Sequence, residues 1–235
     1  MLFIHEVHQV AGRRAEEFEA AYRDGWMPAL ADAGARLLWF LHQAHGAGPA
    51  YTFVTVTAVE SPAAWAALGD RVRRGDLQTW ADDVDALRHR SLAKVLEPAP
   101  FSPMPDVDLA TIAATPADHD HTLFMEDTAW PDRGRLPAYI EKAGTLYVDT
   151  LRRSAASGRG LLELVAAFRP AFGTGRDREI VLWQRVTNPE GLVPLFSREV
   201  PPEYRAPGTW MHDALDLRDQ WESRLLRTAR WSPLA

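Results

Sequence analysis

The hydrophobic positions at the start of the chain follow two different periods. Residues 2–10 alternate between apolar and polar side chains and are rich in β-forming residues, which predicts a strand. Residues 14–33 instead carry a large apolar side chain at every fourth position, which predicts one buried helix face: Phe18, Tyr22, Trp26 and Leu30. Pro28 is expected to kink or end this helix early, and Gly34 to stop it.

The segments that follow complete one sheet-forming unit. Two apolar runs, Arg36–His42 and Tyr51–Val59, flank a Gly-Ala-Gly-Pro turn and predict a β-hairpin. Ser61-Pro62 supplies an N-cap and a first-turn proline for a short helix. A helix over 78–90 and a closing strand over 92–97 then give the order strand, helix, two strands, helices, strand. This is the βαββαβ order of a ferredoxin-like fold.

The closing segment of this unit occurs twice. Residues 79–103 and 209–233 align at a fixed offset of 130, and nine of the 25 positions are identical. The identities include a tryptophan (Trp80 and Trp210) and an arginine (Arg88 and Arg218), which chance rarely places at one offset. We interpret these repeated helix residues as packing residues, because duplication preserves a core more often than a site. The chain is therefore an internal duplication.

The second half repeats the order of the first, and this predicts the architecture. Leu123-Phe124-Met125 echoes Leu2-Phe3-Ile4, and Asn188-Pro189 echoes Ser61-Pro62. A sheet with helices on one face leaves the other face bare, and a second copy can cover it. We predict an α+β fold in which two tandem ferredoxin-like repeats pack sheet to sheet as an α/β barrel. The predicted repeats span 1–104 and 119–235, and the polar, proline-containing residues 105–118 form the linker.

Composition narrows the classes of partner. Lys and Arg number 26 against 32 Asp and Glu, so the net charge of −6 without a basic run disfavours nucleic acid and anionic membranes. No apolar run approaches the roughly 18 residues of a membrane span. The chain has no cysteine, which excludes disulfides and thiolate chemistry and is compatible with a cytoplasmic location. We expect a cytoplasmic protein that is a monomer with an intramolecular barrel or a homodimer.

The ends of the two repeats resemble the NIPSNAP family. Glu222–Arg227 followed by Trp231-Ser232-Pro233 is similar to that family's closing pattern, and residues 99–103 repeat the ending in the first half. The resemblance implies the dimeric α/β-barrel superfamily, which includes cofactor-free monooxygenases, cyclases, isomerases and haem enzymes. The family's first strand usually reads Y-E-x-R-x-Y, and its arginine position holds His5 in one half and Glu126 in the other.

The first strand of each half carries the candidate acid–base residues. Alternation sends His5 to one face of the sheet, and Glu6 and His8 to the other. In the second half Glu126 and Asp127 occupy the positions of His5 and Glu6. If the barrel closes, His5 and Glu126 face each other across its interior. Such a pair could deprotonate a carbon or phenol acid, whereas the alternative is a set of separate, structurally satisfied groups.

Further residues are candidates for binding a substrate or a metal. Trp39 and Trp183 could stack on an aromatic ligand, and Arg169 and Arg185 could hold a carboxylate. The histidines near one rim of the first sheet could bind zinc or copper: His8, His42 and His45. The more common uses are core packing for Trp, surface salt bridges for Arg and hydrogen bonding for His. His119 and His121 are expected to lie in the solvated linker.

These observations lead to one function hypothesis with two alternatives. The first is a small-molecule enzyme of specialised metabolism that uses a His/carboxylate-lined barrel pocket for acid–base chemistry. It would act without an organic cofactor, as a cyclase, isomerase or cofactor-free oxygenase. The others are a non-catalytic ligand-binding or scaffold protein of the NIPSNAP type, and a His-ligated metal or haem enzyme. Five histidines lie before the linker, whereas only His212 lies beyond Leu123, so we expect function to concentrate on the first half.

Overall fold

Eight antiparallel strands form a closed barrel in the computed structural model, which describes residues 1–176 and 178–235. The strands of the first half are β1 Leu2–Val10, β2 Ala35–Gln43, β3 Thr52–Val59 and β4 Arg88–Pro98. Those of the second half are β5 Leu123–Trp130, β6 Leu162–Pro170, β7 Ile180–Val186 and β8 Gln220–Thr228. Their order around the barrel is β1-β3-β2-β8-β5-β7-β6-β4.

Each half contributes one four-stranded ferredoxin-like sheet, and the edges of the two sheets join. Around the barrel, the first half reads β4-β1-β3-β2 and the second half reads β8-β5-β7-β6, which is the same arrangement repeated. β2 pairs with β8 at 41–43 and β4 pairs with β6 at 96–98, so each edge strand finds a partner within the chain. The predicted α+β fold of two tandem repeats closing as an α/β barrel is confirmed.

The helices cover the outside of the barrel. Those of the first half are α1 Ala15–Ala20, α2 Met27–Ala29, α3 Pro62–Arg74 and α4 Gln78–Asp85. Those of the second half are α5 Leu136–Lys142, α6 Val148–Ala156, α7 Val193–Ser197 and α8 Trp210–Asp213. Among the described residues, no helix is both long enough and apolar enough to cross a membrane.

The long helix predicted over 14–33 is interrupted by a π-helical turn. Residues 21–26 form this turn between α1 and α2, and residues 143–147 form the matching turn between α5 and α6. The predicted apolar stripe is nevertheless buried against the sheet, since Phe18, Tyr22, Trp26 and Leu30 are all in the core. π-helical turns often occur at functional sites, and the first of these turns carries two buried aromatic residues, Tyr22 and Trp26.

Two sequence-based boundaries were wrong. The helix predicted over 78–90 ends at Asp85, and β4 begins at Arg88 because its first residues already pair with β1. The predicted linker over 105–118 also packs against the barrel core, through three apolar side chains: Val107, Leu109 and Ile112. His119 and His121 each hydrogen-bond to a backbone carbonyl, that of Ser232 and that of Thr228 respectively, and His121 is exposed as expected.

Candidate functional site

The first-strand residues divide between the two faces of the barrel wall, as their alternation predicts. His5 points into the barrel, where its Nε2 donates to Glu126 Oε2 at 2.9 Å, and Arg224 donates to the other carboxylate oxygen at 3.1 Å. His5 and Glu126 are each only 1% exposed. Burial alone would raise the pKa of Glu126, but the charges of His5, Arg224 and Lys94 outweigh burial and hold this pKa at about 2. The pair therefore ties β1 of one repeat to β5 of the other.

Large aromatic side chains occupy the centre of the barrel interior. The Trp39 and Trp183 rings lie 5.4 Å apart at the centre, and both are essentially inaccessible to solvent. Lys94 forms an ion pair with Glu179, which also accepts a hydrogen bond from Trp130 Nε1 at 3.2 Å. A substrate could stack on Trp39 or Trp183 only after other core side chains had moved. The packing of these residues favours a structural role for the interior.

On the outer face of β1, four side chains form a chain of hydrogen bonds that ends at a carboxylate. Arg88 Nη1 donates to His8 Nδ1 at 2.9 Å, so the proton of a neutral His8 lies on Nε2. Nε2 lies 3.2 Å from Thr55 Oγ1, and Thr55 in turn donates to Glu6 Oε2 at 3.4 Å. Burial, and then the positive charge of Arg88, lower the pKa of His8 well below its usual value. His8 therefore stays neutral and orients Thr55 toward Glu6.

Glu6 opens onto a pocket between the first-half sheet and its helices. The pocket has a volume of about 240 Å³, and its wall combines three tryptophans with polar side chains from β1, the π-helical turn and β4. The lining residues are Ile4, Glu6, Tyr22, Trp26, Trp65, Leu68, Gly69, Val72, Arg73, Trp80, Ala81, Val84 and Arg88. His8 lies behind this wall and is fully buried. The pocket thus presents a carboxyl, a phenol and a guanidinium group beside flat aromatic surfaces.

The environment of Glu6 suits proton transfer. Burial raises the pKa of Glu6 above its usual value, and the Arg88 charge and the hydrogen bonds from Thr55 and Tyr22 only partly oppose this effect. A carboxylate with a raised pKa is a stronger base and gives its proton back nearer to neutral pH. Burial, followed by the negative charge of Glu6, also raises the pKa of Tyr22 well above its usual value, so the phenol stays protonated as a donor.

The second half repeats this arrangement with different partners. Asp127 occupies the position of Glu6 and accepts a hydrogen bond from Gln184 at 2.9 Å, and Tyr147 donates to the same Gln184. Burial raises the pKa of Asp127, while hydrogen bonds from Ser223 and Gln184 lower it. The pocket at Glu6 is lined by first-half residues. Each half thus keeps a partly buried carboxyl group at this position, with different hydrogen-bond partners.

Other candidates lie away from the pocket. Arg169 pairs with Glu97 at 2.9 Å and Arg185 pairs with Glu163 at 2.5 Å, in partly exposed cross-strand ion pairs on neighbouring strands. Both guanidinium groups are therefore already matched by carboxylates. The predicted carboxylate-binding role of Arg169 and Arg185 has no support from these positions.

The three histidines considered for a metal are not brought together. Phe53 pairs with His8 on one side and His42 on the other, so its ring lies between them. His42 instead lies 3.0 Å from Glu19 in a separate cavity of about 200 Å³, and His45 is exposed in the turn. Across residues 1–176 and 178–235, no group of three or more His, Cys, Asp or Glu side chains could hold a metal ion.

Sequence reasoning missed several pocket residues. Tyr22 and Trp26 belonged to the helical stripe that predicts core packing, and Trp80 and Arg88 were interpreted as packing residues of the repeat. Trp80 does pack, since its ring stacks on Trp26 at 4.7 Å and its Nε1 donates to the Ala21 carbonyl. Arg88 was detectable as a charged residue retained in both halves, beside the closing strand.

Comparisons with known proteins establish the fold. Neither a family model nor a curated protein sequence matches this chain. A candidate monooxygenase from Lactobacillus acidophilus aligns with a TM-score of 0.58 and 11% identity over 99% of this chain and 97% of its own. An anthrone oxidase-like protein aligns with a TM-score of 0.60 and 5% identity over 97% of this chain and 91% of its own.

A NIPSNAP domain protein from Burkholderia xenovorans is 21% identical over 44% of this chain and 99% of its own, with a TM-score of 0.37. This alignment spans less than half of the duplicated chain. The alignments with the candidate monooxygenase and with the anthrone oxidase-like protein each span nearly the whole chain, and they show that it has a ferredoxin-like α+β barrel fold.

Proposed function

We propose that this protein is a small-molecule enzyme that transfers a proton in the first-half pocket, with Glu6 as the acid–base group. The observation that carries the proposal is the position of Glu6, whose raised pKa coincides with an aromatic pocket and a neighbouring guanidinium group. A titratable group with a perturbed pKa in a cleft is a candidate for acid–base catalysis. The substrate class that suits this pocket is a carbon acid or phenol with an apolar body.

The reaction needs three groups. Glu6 carboxylate removes a proton from the substrate, and the electron pair moves onto the substrate's oxygen. Arg88 faces the same pocket, and its Nε pairs with the largely exposed carboxylate of Asp85, at 3.1 Å. Its guanidinium group stabilises the resulting enolate or phenolate. Glu6, now a carboxylic acid, returns the proton to another atom of the substrate, which completes an isomerisation. Tyr22 donates a hydrogen bond to Glu6, and its phenol remains neutral because its pKa is raised well above the usual value.

His8 acts as a positioning residue in this proposal. Its Nδ1 accepts from Arg88 and its Nε2 hydrogen-bonds to Thr55, so one imidazole fixes the orientation of both the anion-stabilising group and the donor to Glu6. Because burial and Arg88 keep the pKa of His8 low, this arrangement persists through neutral pH. His5 and Glu126 have no such role, since their pair is closed inside the barrel.

Two further readings follow from the resemblance and the fold neighbours. Oxygenation, in which dioxygen reacts with the same carbanion, is in keeping with the fold shared with a candidate monooxygenase and an anthrone oxidase-like protein. The closing segments resemble the NIPSNAP family, and this resemblance favours a second alternative. In that case the pocket binds a ligand but does not catalyse a reaction. None of the described residues that line this pocket is a histidine, so a haem bound there would lack a histidine ligand.

Deuterium exchange tests the proposal. A panel of enolisable ketones, phenols and hydroxyanthracenones is incubated with the protein in heavy water, and exchange is followed by NMR. We expect wild-type protein to catalyse exchange in at least one compound, Glu6→Gln to lose it, and Glu17→Gln, which removes an exposed carboxylate paired with Arg14, to retain it. Exchange that persists in Glu6→Gln at the wild-type rate would place the chemistry elsewhere.

A further inference from the structure

A glycine in the middle of a pocket-lining helix has no structural explanation in the protein itself. Gly69 lies inside α3, where glycine destabilises the helix relative to alanine. Its φ is not in the left-handed region, so the backbone does not require glycine. A Cβ added there would come no closer than 3.5 Å to another atom, the nearest being Arg73 Nη1, which is ordinary van der Waals contact. Neither packing nor backbone geometry therefore accounts for this residue.

Gly69 lies between an aromatic and a cationic side chain on one stripe of the helix. Trp65, Gly69 and Arg73 are spaced four residues apart, and all three line the pocket. Trp65 is 38% exposed, which places its ring at the boundary between pocket and solvent. Arg73 is also exposed and forms no ion pair with any residue in the described part of the chain. The missing side chain therefore leaves a gap between an aromatic face and a free guanidinium group.

We propose that Gly69 keeps open an exit groove across α3, and that the pocket's ligand is an elongated molecule with an aromatic or apolar body and an outer anionic group. The body lies against Trp65 and passes over Gly69, and the carboxylate, sulfonate or phosphate-type group meets Arg73. This inference rests on the proposed function, because it assigns a ligand class to the same pocket. A guanidinium group binds such anions through paired, charge-assisted hydrogen bonds.

Two fluorescent probes of matched shape test the groove. Anilinonaphthalene sulfonate carries the proposed anionic group, and phenylnaphthylamine is its uncharged parent. We expect Gly69→Phe to abolish pocket binding of both probes and Arg73→Gln to weaken only the sulfonate, by about tenfold. Arg74→Gln is the matched control, because Arg74 lies on the same helix but pairs with Asp70 at 2.7 Å and does not line the pocket. Circular dichroism confirms that each variant is folded.

The outcomes separate this inference from the proposed function. If wild-type protein does not bind the sulfonate, or if Arg73→Gln binds it as tightly as wild type, the anionic class is refuted. If Gly69→Phe binds both probes as wild type does, the groove is refuted. Neither result affects deuterium exchange by wild-type protein or its loss in Glu6→Gln. Conversely, selective probe binding without any exchange would support the ligand class and contradict the chemistry.

Discussion

The buried pair that joins the two repeats makes a quantitative prediction about stability. Glu126 is 1% exposed and accepts hydrogen bonds from His5 at 2.9 Å and Arg224 at 3.1 Å. Replacing it with glutamine keeps the shape of the side chain and removes its charge. Because His5 and Arg224 then lose the negative charge that they contact inside the barrel, we expect Glu126→Gln to lose about 3 kcal/mol of unfolding free energy at pH 7.

The pKa of Glu126 gives the same magnitude independently and fixes its pH dependence. Its folded value of about 2 lies below the ordinary value of 4.5, a difference equivalent to about 3 kcal/mol. Since the folded pKa is depressed, this stability is fully present above pH 4.5 and is lost as the pH falls toward 2. Linkage predicts that about 2 kcal/mol of it has disappeared by pH 3.

Urea unfolding at pH 7 and at pH 3 measures both effects. Wild-type stability should fall between these pH values by about 2 kcal/mol more than that of Glu126→Gln. Glu163→Gln is the control, because its partly exposed pair with Arg185 is expected to contribute at most about 1 kcal/mol. If the free energy of unfolding falls equally for wild type and Glu126→Gln, the reasoning is refuted, because the charge of Glu126 would then contribute nothing to stability.

Two further substitutions test the packing around the pocket and the barrel core. Gly25→Ala should destabilise the fold by about 1–3 kcal/mol in thermal or urea unfolding, because its Cβ would lie 2.8 Å from the Trp80 ring; unchanged stability would mean that the ring moves freely. Ile112→Ala should cost about 2 kcal/mol, because Ile112 is 9% exposed and packs on the barrel core. A loss below about 0.5 kcal/mol would show that this connecting segment contributes little to the core.

The fold was accessible from the sequence because its signals were local and repeated. Alternation in residues 2–10 and the four-residue period of the following helix identify element types, and the offset of 130 identifies the duplication. Helix ends were less predictable. The end of α4 depends on where β4 begins to pair with β1, which is a tertiary interaction that local propensity does not encode. The packing of Ile112 likewise depends on a core assembled from both halves.

The candidate site was only partly accessible. Alternation separated His5 from Glu6 and His8, and the closed barrel places His5 beside Glu126 at 2.9 Å. The alternation of the first strand could not indicate which face of the sheet holds a cavity. That depends on the side chains packed on each face, and large side chains such as Trp39 occupy the barrel interior. The pocket arises instead where α3 and α4 cover β1, so its position depends on packing between helices and sheet.

The titration of the Glu6 carboxyl carbon by ¹³C NMR tests the central claim most directly. The protein is labelled at glutamate, and the Glu6 signal is assigned as the one missing from Glu6→Gln. The proposed proton transfer predicts that Glu6 titrates above the ordinary value of 4.5, because burial raises its pKa against the opposing charge of Arg88. A pKa at or below 4.5 would contradict the account, because Glu6 would then be an ion-paired carboxylate without the raised basicity that proton transfer requires.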